Sequence, residues 1–296
     1  MKKYRIAAES LSLILVTFFL TLFVGCGGGG GNTSTNSTIS GTAVKGPVAN
    51  ATVTAFSIND GAMGSQIGSG QTDAQGNFSV SVGDHSGPVM LQLKGGSYVD
   101  EATGTTMTMQ QSDMMTSAIP LMAATVKDVQ ITPLTSMAQV MAQGMSGGMT
   151  SANITVANTT VGIYFLVNDI LHTRPMDPLA PGAGTGADQN MKNYGMSIAA
   201  MSQYAKNVGM QFSSGMVTAM MNDATDGHMN GKMGSSPITM GGGMMGGTMM
   251  SANAGTTEMA NAMTQFVQSS MNKSGVTLQD MLPLINKLMV SDGTIQ

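Results

Sequence analysis

The hydrophobic period of this chain changes once, near Thr132, and that change constrains the fold more than any other feature. Upstream, "ISGTAV", "ATVTAFSI", "NFSVSV" and "PVMLQLKG" are short runs rich in alternating or β-branched residues. Strict alternation sends Phe78, Val80 and Val82 to one face and the serines between them to the other, the pattern of a half-buried strand. Gly, Pro, Asn and Asp separate the runs. Asn59-Asp60-Gly61 and Asp73-Ala74-Gln75-Gly76-Asn77 supply residues that tolerate positive φ or bond their own backbone, so they read as tight turns. Regular strand spacing with such turns predicts a small antiparallel β-sandwich over 39–132. Its last part, 107–132, reads as a connecting segment with Ile119-Pro120-Leu121 and "VQITP" as short strands.

Downstream the spacing is helical. In "TPLTSMAQVMAQGM", Thr132 or Thr135 can cap, Pro133 suits a first turn, and Leu134, Met137, Met141 and Met145 recur at helical intervals. Further helices are expected over 159–171, 189–208, 213–224, 254–271 and 278–290. The 189–208 segment carries the clearest stripe: Met191, Tyr194, Ile198, Met201, Ala205 and Val208. "HTRPMDPLAPGAGTG" is a long loop. The fold class expected is α+β in two domains, an N-terminal antiparallel β-sandwich and a C-terminal α-helical domain over 133–296.

The N-terminus is a different kind of segment. Lys2, Lys3 and Arg5 precede an apolar run over 11–24 that is short for a membrane span. The run ends in Leu22-Phe23-Val24-Gly25-Cys26, which resembles the lipobox of bacterial lipoprotein signal peptides. The resemblance implies a signal peptide over 1–25, a lipid on Cys26 and a membrane partner reached through that lipid. Gly27, rather than an acidic residue, follows the cysteine, which implies the outer membrane, facing the periplasm or the cell surface. Cys26 is the one cysteine in the chain, so an intramolecular disulfide is impossible. The segment 26–38, "CGGGGGNTSTNST", has no apolar face and reads as a flexible tether.

"SGTAVKGPVANATVTAF", followed by "TDAQGNFSVSV" and "PVMLQLKGGSYVDEATG", resembles the carboxypeptidase-regulatory-like, or prealbumin-like, β-sandwich domains of bacterial surface proteins. The shared elements are a G-x-V-x-G-P-V opening, an A-T-V second strand and a T-D-x-x-G-x-F hairpin. Such domains are accessory modules, so the resemblance implies no peptidase residues. A β-module followed by "ITPLTSMA" and helices also resembles a broad set of bacterial surface lipoproteins. Both resemblances imply a non-catalytic surface binding or structural module, whose partner is a protein or a polysaccharide.

Composition excludes some functions and raises one alternative. Only 9% of residues are charged, the net charge is −4, and no cluster of Lys and Arg stands out, which argues against a nucleic-acid partner. The 32 methionines are concentrated after Thr106, where those in helices take the places of leucine. Met191, Met201, Met220, Met259 and Met263 are therefore expected in the core. Within the Gly-Met loop expected over 227–253, Met229, Met233, Met240, Met244, Met245, Met249 and Met250 lie among glycines. Thioether sulfur suits Cu(I) or Ag(I), and His228 stands beside Met229, so the alternative reading is an extracytoplasmic copper- or silver-binding protein. The metal would have to order a glycine-rich loop, which costs affinity. Inert loop residues, or sulfurs that absorb oxidants, are the competing explanations.

Literal motif matches lack their context. Gly144-Met145-Ser146-Gly147-Gly148 matches G-x-S-x-G but follows a helix, not a strand. The run 241–246 matches G-x-G-x-x-G without a βαβ unit. The stretch 223–231 holds Asp223, Asp226 and Asn230 without EF-hand spacing and reads as a helix end with Asp-Gly and Asn-Gly turns. With three histidines and no evident carboxylate pair, the chain is not expected to be an enzyme.

Overall fold

The computed structural model describes residues 36–122, 124–241 and 247–295. Cys26, the signal peptide, most of the tether, Met244 and Met245 lie outside the described residues. The fold is mixed α+β, and Ser34–Gln296 forms one compact unit. The β-rich and helix-rich parts, expected as two domains, are thus not separate compact units.

The β-rich part contains β1 (Ser37–Ala43), β2 (Thr52–Asn59), β3 (Ala62–Gln71), β4 (Asn77–Gly83), β5 (Gly87–Lys94), β6 (Ser97–Val99), β7 (Thr106–Thr108), β8 (Met114–Met122) and β9 (Val126–Ile131). β1 begins inside the segment expected as tether, with Ser37 already opposite Gly83. One sheet has the order β4-β1-β9 and another β3-β2-β5-β8, while β6 and β7 form a separate hairpin. Ile39, Val80 and Val129 from the first sheet and Val53, Leu91 and Met115 from the second share one core. The expectation of purely antiparallel pairing fails at one place: β9 pairs with β1 in parallel. Seven strands intervene, so the chain has ample length for a crossover connection.

The β2–β3 turn is the one anticipated, with Asp60 at φ 50° and Gly61 at φ 76°, as a two-residue hairpin turn requires. β3 itself gave no alternating signal. Its glycines serve contact: a Cβ at Gly68 would stand 2.1 Å from the Ser81 carbonyl oxygen and one at Gly70 2.6 Å from that of Ser79. They let the edge of one sheet close on the other.

The helices are α1 (Pro133–Gly144), α2 (Ser151–Tyr164), α3 (Gln189–Asn207) and α4 (Ser214–Ala224), then α5 (Thr257–Gln268) and α6 (Leu278–Val290). Thr132 caps α1 in a reciprocal box with Thr135, and Pro133 opens its first turn. Ser136 Oγ accepts from the Thr116 amide at 2.8 Å, fastening α1 to β8. α2 differs from the expected 159–171 helix. Thr150 accepts from the Asn153 amide and starts the helix earlier, and Leu166 at φ 53° lies beyond its end. α3 is more than amphipathic: every residue from Asn193 to Ala205 is buried. Its supposedly polar side carries Gly195, Ser197, Ala199 and Ser202, small enough for close approach; a Cβ on Gly195 would fall 2.0 Å from the Met176 carbonyl oxygen.

The helical core takes Met137, Met201, Met220, Met259 and Met263, together with Ile58, Met90 and Ala118 from the four-stranded sheet. Within that sheet β5 and β8 are therefore buried on both faces, which accounts for the nearly unbroken apolar run of β5, while the edge strand β3 stays largely exposed. No helix of the described residues is long and apolar enough to cross a membrane.

Candidate functional site

The segment expected as a Gly-Met loop is partly folded. β10 (Lys232–Met233) pairs with β11 (Ser236–Pro237), and β12 (Thr239–Met240) pairs with β13 (Thr248–Met249). Period-two alternation turns Ile238 and Met240 inward, and the Met250 amide donates to the Ile238 carbonyl at 2.8 Å. Met229, Met240 and Met250 are all buried in the helical core. Met233 and Met249 are exposed. His228 is exposed, with Nδ1 3.5 Å from the Thr294 hydroxyl, while Met229 beside it packs inward toward Gly255. Three of the seven loop methionines thus have a packing role that glycine-rich sequence context concealed. The described part of this set is divided between core and surface.

The stretch 223–231 is organised by Asp223. Its Oδ1 accepts from the amides of Asn230, Gly231 and Lys232 at 2.9, 2.7 and 3.1 Å. Oδ2 is buried without a partner. Burial dominates these backbone bonds and pushes the Asp223 carboxyl up to about 6. Gly227 and Gly231 lie at φ 80° and 76°, consistent with the Asp-Gly and Asn-Gly turns.

Sequence reasoning missed the most concentrated polar chemistry of the molecule. Lys45 follows β1 in the "VKGP" turn and is completely buried. Gly46, at φ 61°, packs against the backbone of Val99, where a Cβ would stand 2.3 Å from the carbonyl oxygen. This close approach brings Lys45 to the end of β6, where Asp100 and Glu101 begin the β6–β7 turn. Lys45 Nζ donates to Glu101 Oε2 at 2.8 Å, Ser202 Oγ at 2.5 Å and Ser213 Oγ at 3.1 Å. Asp100 Oδ2 is 3.7 Å away, and the Tyr98 ring centroid 4.9 Å.

Each serine accepts from the ammonium and donates to a carboxylate: Ser202 to Glu101 and Ser213 to Asp100, both at 2.5 Å. The Gly46 amide holds Glu101 Oε1 at 2.6 Å. Burial acts to lower the Lys45 pKa, but Glu101 and then Asp100 outweigh it and hold it above the ordinary lysine value. The network joins the β6–β7 hairpin to α3 through Ser202 and to the start of α4 through Ser213. The available sequence signal was a lone lysine in an otherwise apolar stretch, Val44 to Val48.

The network continues toward a surface cleft. The Ser214 amide donates to Tyr98 Oη at 2.9 Å, and the Ser214 hydroxyl donates to Asp113 Oδ2 at 2.6 Å. Asp113 lines a cleft of about 640 Å³ between α4, the 110–113 turn and the β12–β13 hairpin. Gln110, Gln211, Thr218 and Asn222 supply amides and hydroxyls, and Phe212 an aromatic ring. Thr218 donates to Asp113 Oδ1 at 3.3 Å, so that carboxylate is already engaged on both oxygens. Among the described lining residues it is the one charged group. The arrangement offers hydrogen bonds to an uncharged polar ligand. Neither a protein-family model, nor a curated protein, nor a solved structure matches this chain.

Proposed function

We propose that this chain is a cell-envelope lipoprotein, acylated at Cys26 and tethered at the outer membrane, whose folded body is a non-catalytic binding module. In this reading the β-rich part is a prealbumin-like sandwich, and the cleft beside α4 takes a neutral polysaccharide. Support for the anchor comes from the lipobox-like Leu22–Cys26 stretch and the glycine-rich segment after it. Two or more acyl chains, at about 0.8 kcal/mol per buried methylene, would hold such an N-terminus firmly.

The observation that carries the binding role is the cleft lining. Its size suits a small ligand or a few sugar units. Amide and hydroxyl groups match sugar hydroxyls, Phe212 offers a ring for a sugar face, and among the described lining residues no second carboxylate accompanies the engaged Asp113 for acid–base work.

Two measurements test the proposal separately. Fractionation of cells expressing the chain should find it in the membrane and find Cys26→Ser released; an unchanged location for the variant would remove the lipoprotein reading. Purified full chain should be retained on an immobilised neutral polysaccharide, with retention weakened by Phe212→Ala. Equal elution of both proteins with the void would remove the cleft's assigned role.

A further inference from the structure

Lys45, Asp100 and Glu101 place an amine against two carboxylates in a completely buried site, on elements that the cleft does not use. We propose that Lys45 and Asp100 condense to an intramolecular amide cross-link, with Glu101 as the proton carrier. The inference stands on the cluster alone and does not depend on the lipoprotein or binding readings.

The chemistry fits the positions of the oxygens. The Thr103 amide and hydroxyl both donate to Asp100 Oδ1 at 2.9 Å. They would stabilise negative charge arriving on that oxygen when the carboxyl carbon is attacked, as donors to an oxyanion do. Oδ2 lies on the lysine side, 3.7 Å from Nζ, and accepts from the Ser213 hydroxyl at 2.5 Å. One oxygen is thus held to be kept and the other to leave. Glu101 is nearer to Nζ, but its Oε2 receives both Lys45 and Ser202 and its Oε1 receives the Gly46 amide. That arrangement suits a base which is not consumed.

The accounting is complete within the cluster. Glu101 Oε2 takes one proton from the Nζ ammonium, and the freed lone pair forms the bond to Asp100 Cγ. The Cγ–Oδ2 bond breaks, and Oδ2 leaves as water with two protons. One is returned by Glu101, and the other comes from Nζ through Ser213, whose hydroxyl contacts both Nζ at 3.1 Å and Oδ2 at 2.5 Å. The amide keeps the third N–H, Glu101 ends ionised as it began, and nothing is oxidised or reduced.

Two general effects favour the product. A buried ion pair bears the desolvation cost of both charges, whereas an amide made from the same groups carries neither. Reactants held in one geometry can also behave as if present at roughly 10⁵ M or more, provided they are well aligned. Because the carboxylates keep Lys45 protonated, proton removal is the difficult step and the bond forms once, as a slow maturation. It would tie the β1–β2 turn to the β6–β7 turn.

Tryptic digestion and tandem mass spectrometry of the purified full chain test this directly. In the cross-linked protein Lys45 escapes cleavage, and the peptide ending at Lys94 is joined to peptide 95–127 with a combined mass short by one water. Fragment ions should place the branch at Asp100. Glu101→Gln should restore cleavage at Lys45 and release 46–94 and 95–127 as separate peptides, each at the mass of its own sequence, and Lys45→Arg should leave peptide 95–127 unjoined. Complete cleavage at Lys45 in the unsubstituted protein, with both peptides at unmodified mass, would overturn the proposal. A branch mapped to Glu101 would overturn the assignment of Asp100 as the acceptor.

Discussion

Replacing Lys45 by methionine would leave Asp100 and Glu101 buried without their cation, and the serines would lose the ammonium they accept from. Removing one partner of a buried pair strands the other charge, a loss of about 3–5 kcal/mol. Lys45→Met strands both carboxylates and also removes the proposed Lys45–Asp100 amide, so chemical denaturation should show a loss of at least that size. Asp223 predicts a pH dependence of a particular sign. Its carboxyl is raised from 3.8 to about 6 in the folded protein, so between those values the fold holds a proton that the unfolded chain has released. Stability contributed by this group is therefore fully present at low pH, falls as pH rises through that window, and is constant above it. At about 1.4 kcal/mol per pH unit the effect is roughly 3 kcal/mol. Asp223→Asn keeps an oxygen for the three backbone amides, so the difference in stability between variant and parent should grow in the variant's favour from pH 4 to pH 6 and then level off. An invariant difference across that range would contradict the burial argument. The environment of Lys45 could not be read from its neighbours in sequence, because Ser202, Ser213 and Glu101 reach it only through tertiary contact.

Helix α1 was largely legible because its determinants are local: Thr132 as cap, Pro133 in the first turn and apolar residues at helical spacing. Thr132 also exchanges a 2.6 Å hydrogen bond with the Tyr194 hydroxyl, linking the cap to α3. Thr132→Ala should cost about 1–2 kcal/mol, at the upper end of capping losses, measured by urea denaturation. Helix α3 was legible as a helix but not as a central one. Its second face is lined by residues that read as weakly polar, and only the packing of Met176 against Gly195 reveals why they must be small. The β12–β13 hairpin was concealed by its glycines, since short strands of alternating burial give little periodic signal. Met240 and Met250 are core residues, so leucine at either position should change stability by less than about 1.5 kcal/mol, as volume-conserving swaps do. Larger losses would mean that the sulfurs themselves are needed.

At the scale of the whole molecule, the four-stranded sheet is the shared wall between two cores: Val53 and Leu91 face the other sheet, while Ile58 and Met90 face the helices. A fold built this way should lose strand and helix together. Far-UV circular dichroism and near-UV tyrosine signals should follow one coincident denaturation curve, whereas two separated transitions would mean that the parts are energetically independent. The sequence by itself determined strands β1, β2, β4, β5, β8 and β9, the helices apart from the bounds of α2, most turns, and the core placement of Met201, Met220, Met259 and Met263, though not of Met191, which is only partly buried, because each depends on residues close together in the chain. Only tertiary structure decided the parallel β1–β9 pairing, the union of both parts in one compact unit, the burial of Met229, Met240 and Met250, and the meeting of Lys45 with Asp100 and Glu101. Those depend on contacts across long stretches of chain, where the choice is made by which surfaces can approach closely and which buried charges find partners, and alternation or spacing records neither.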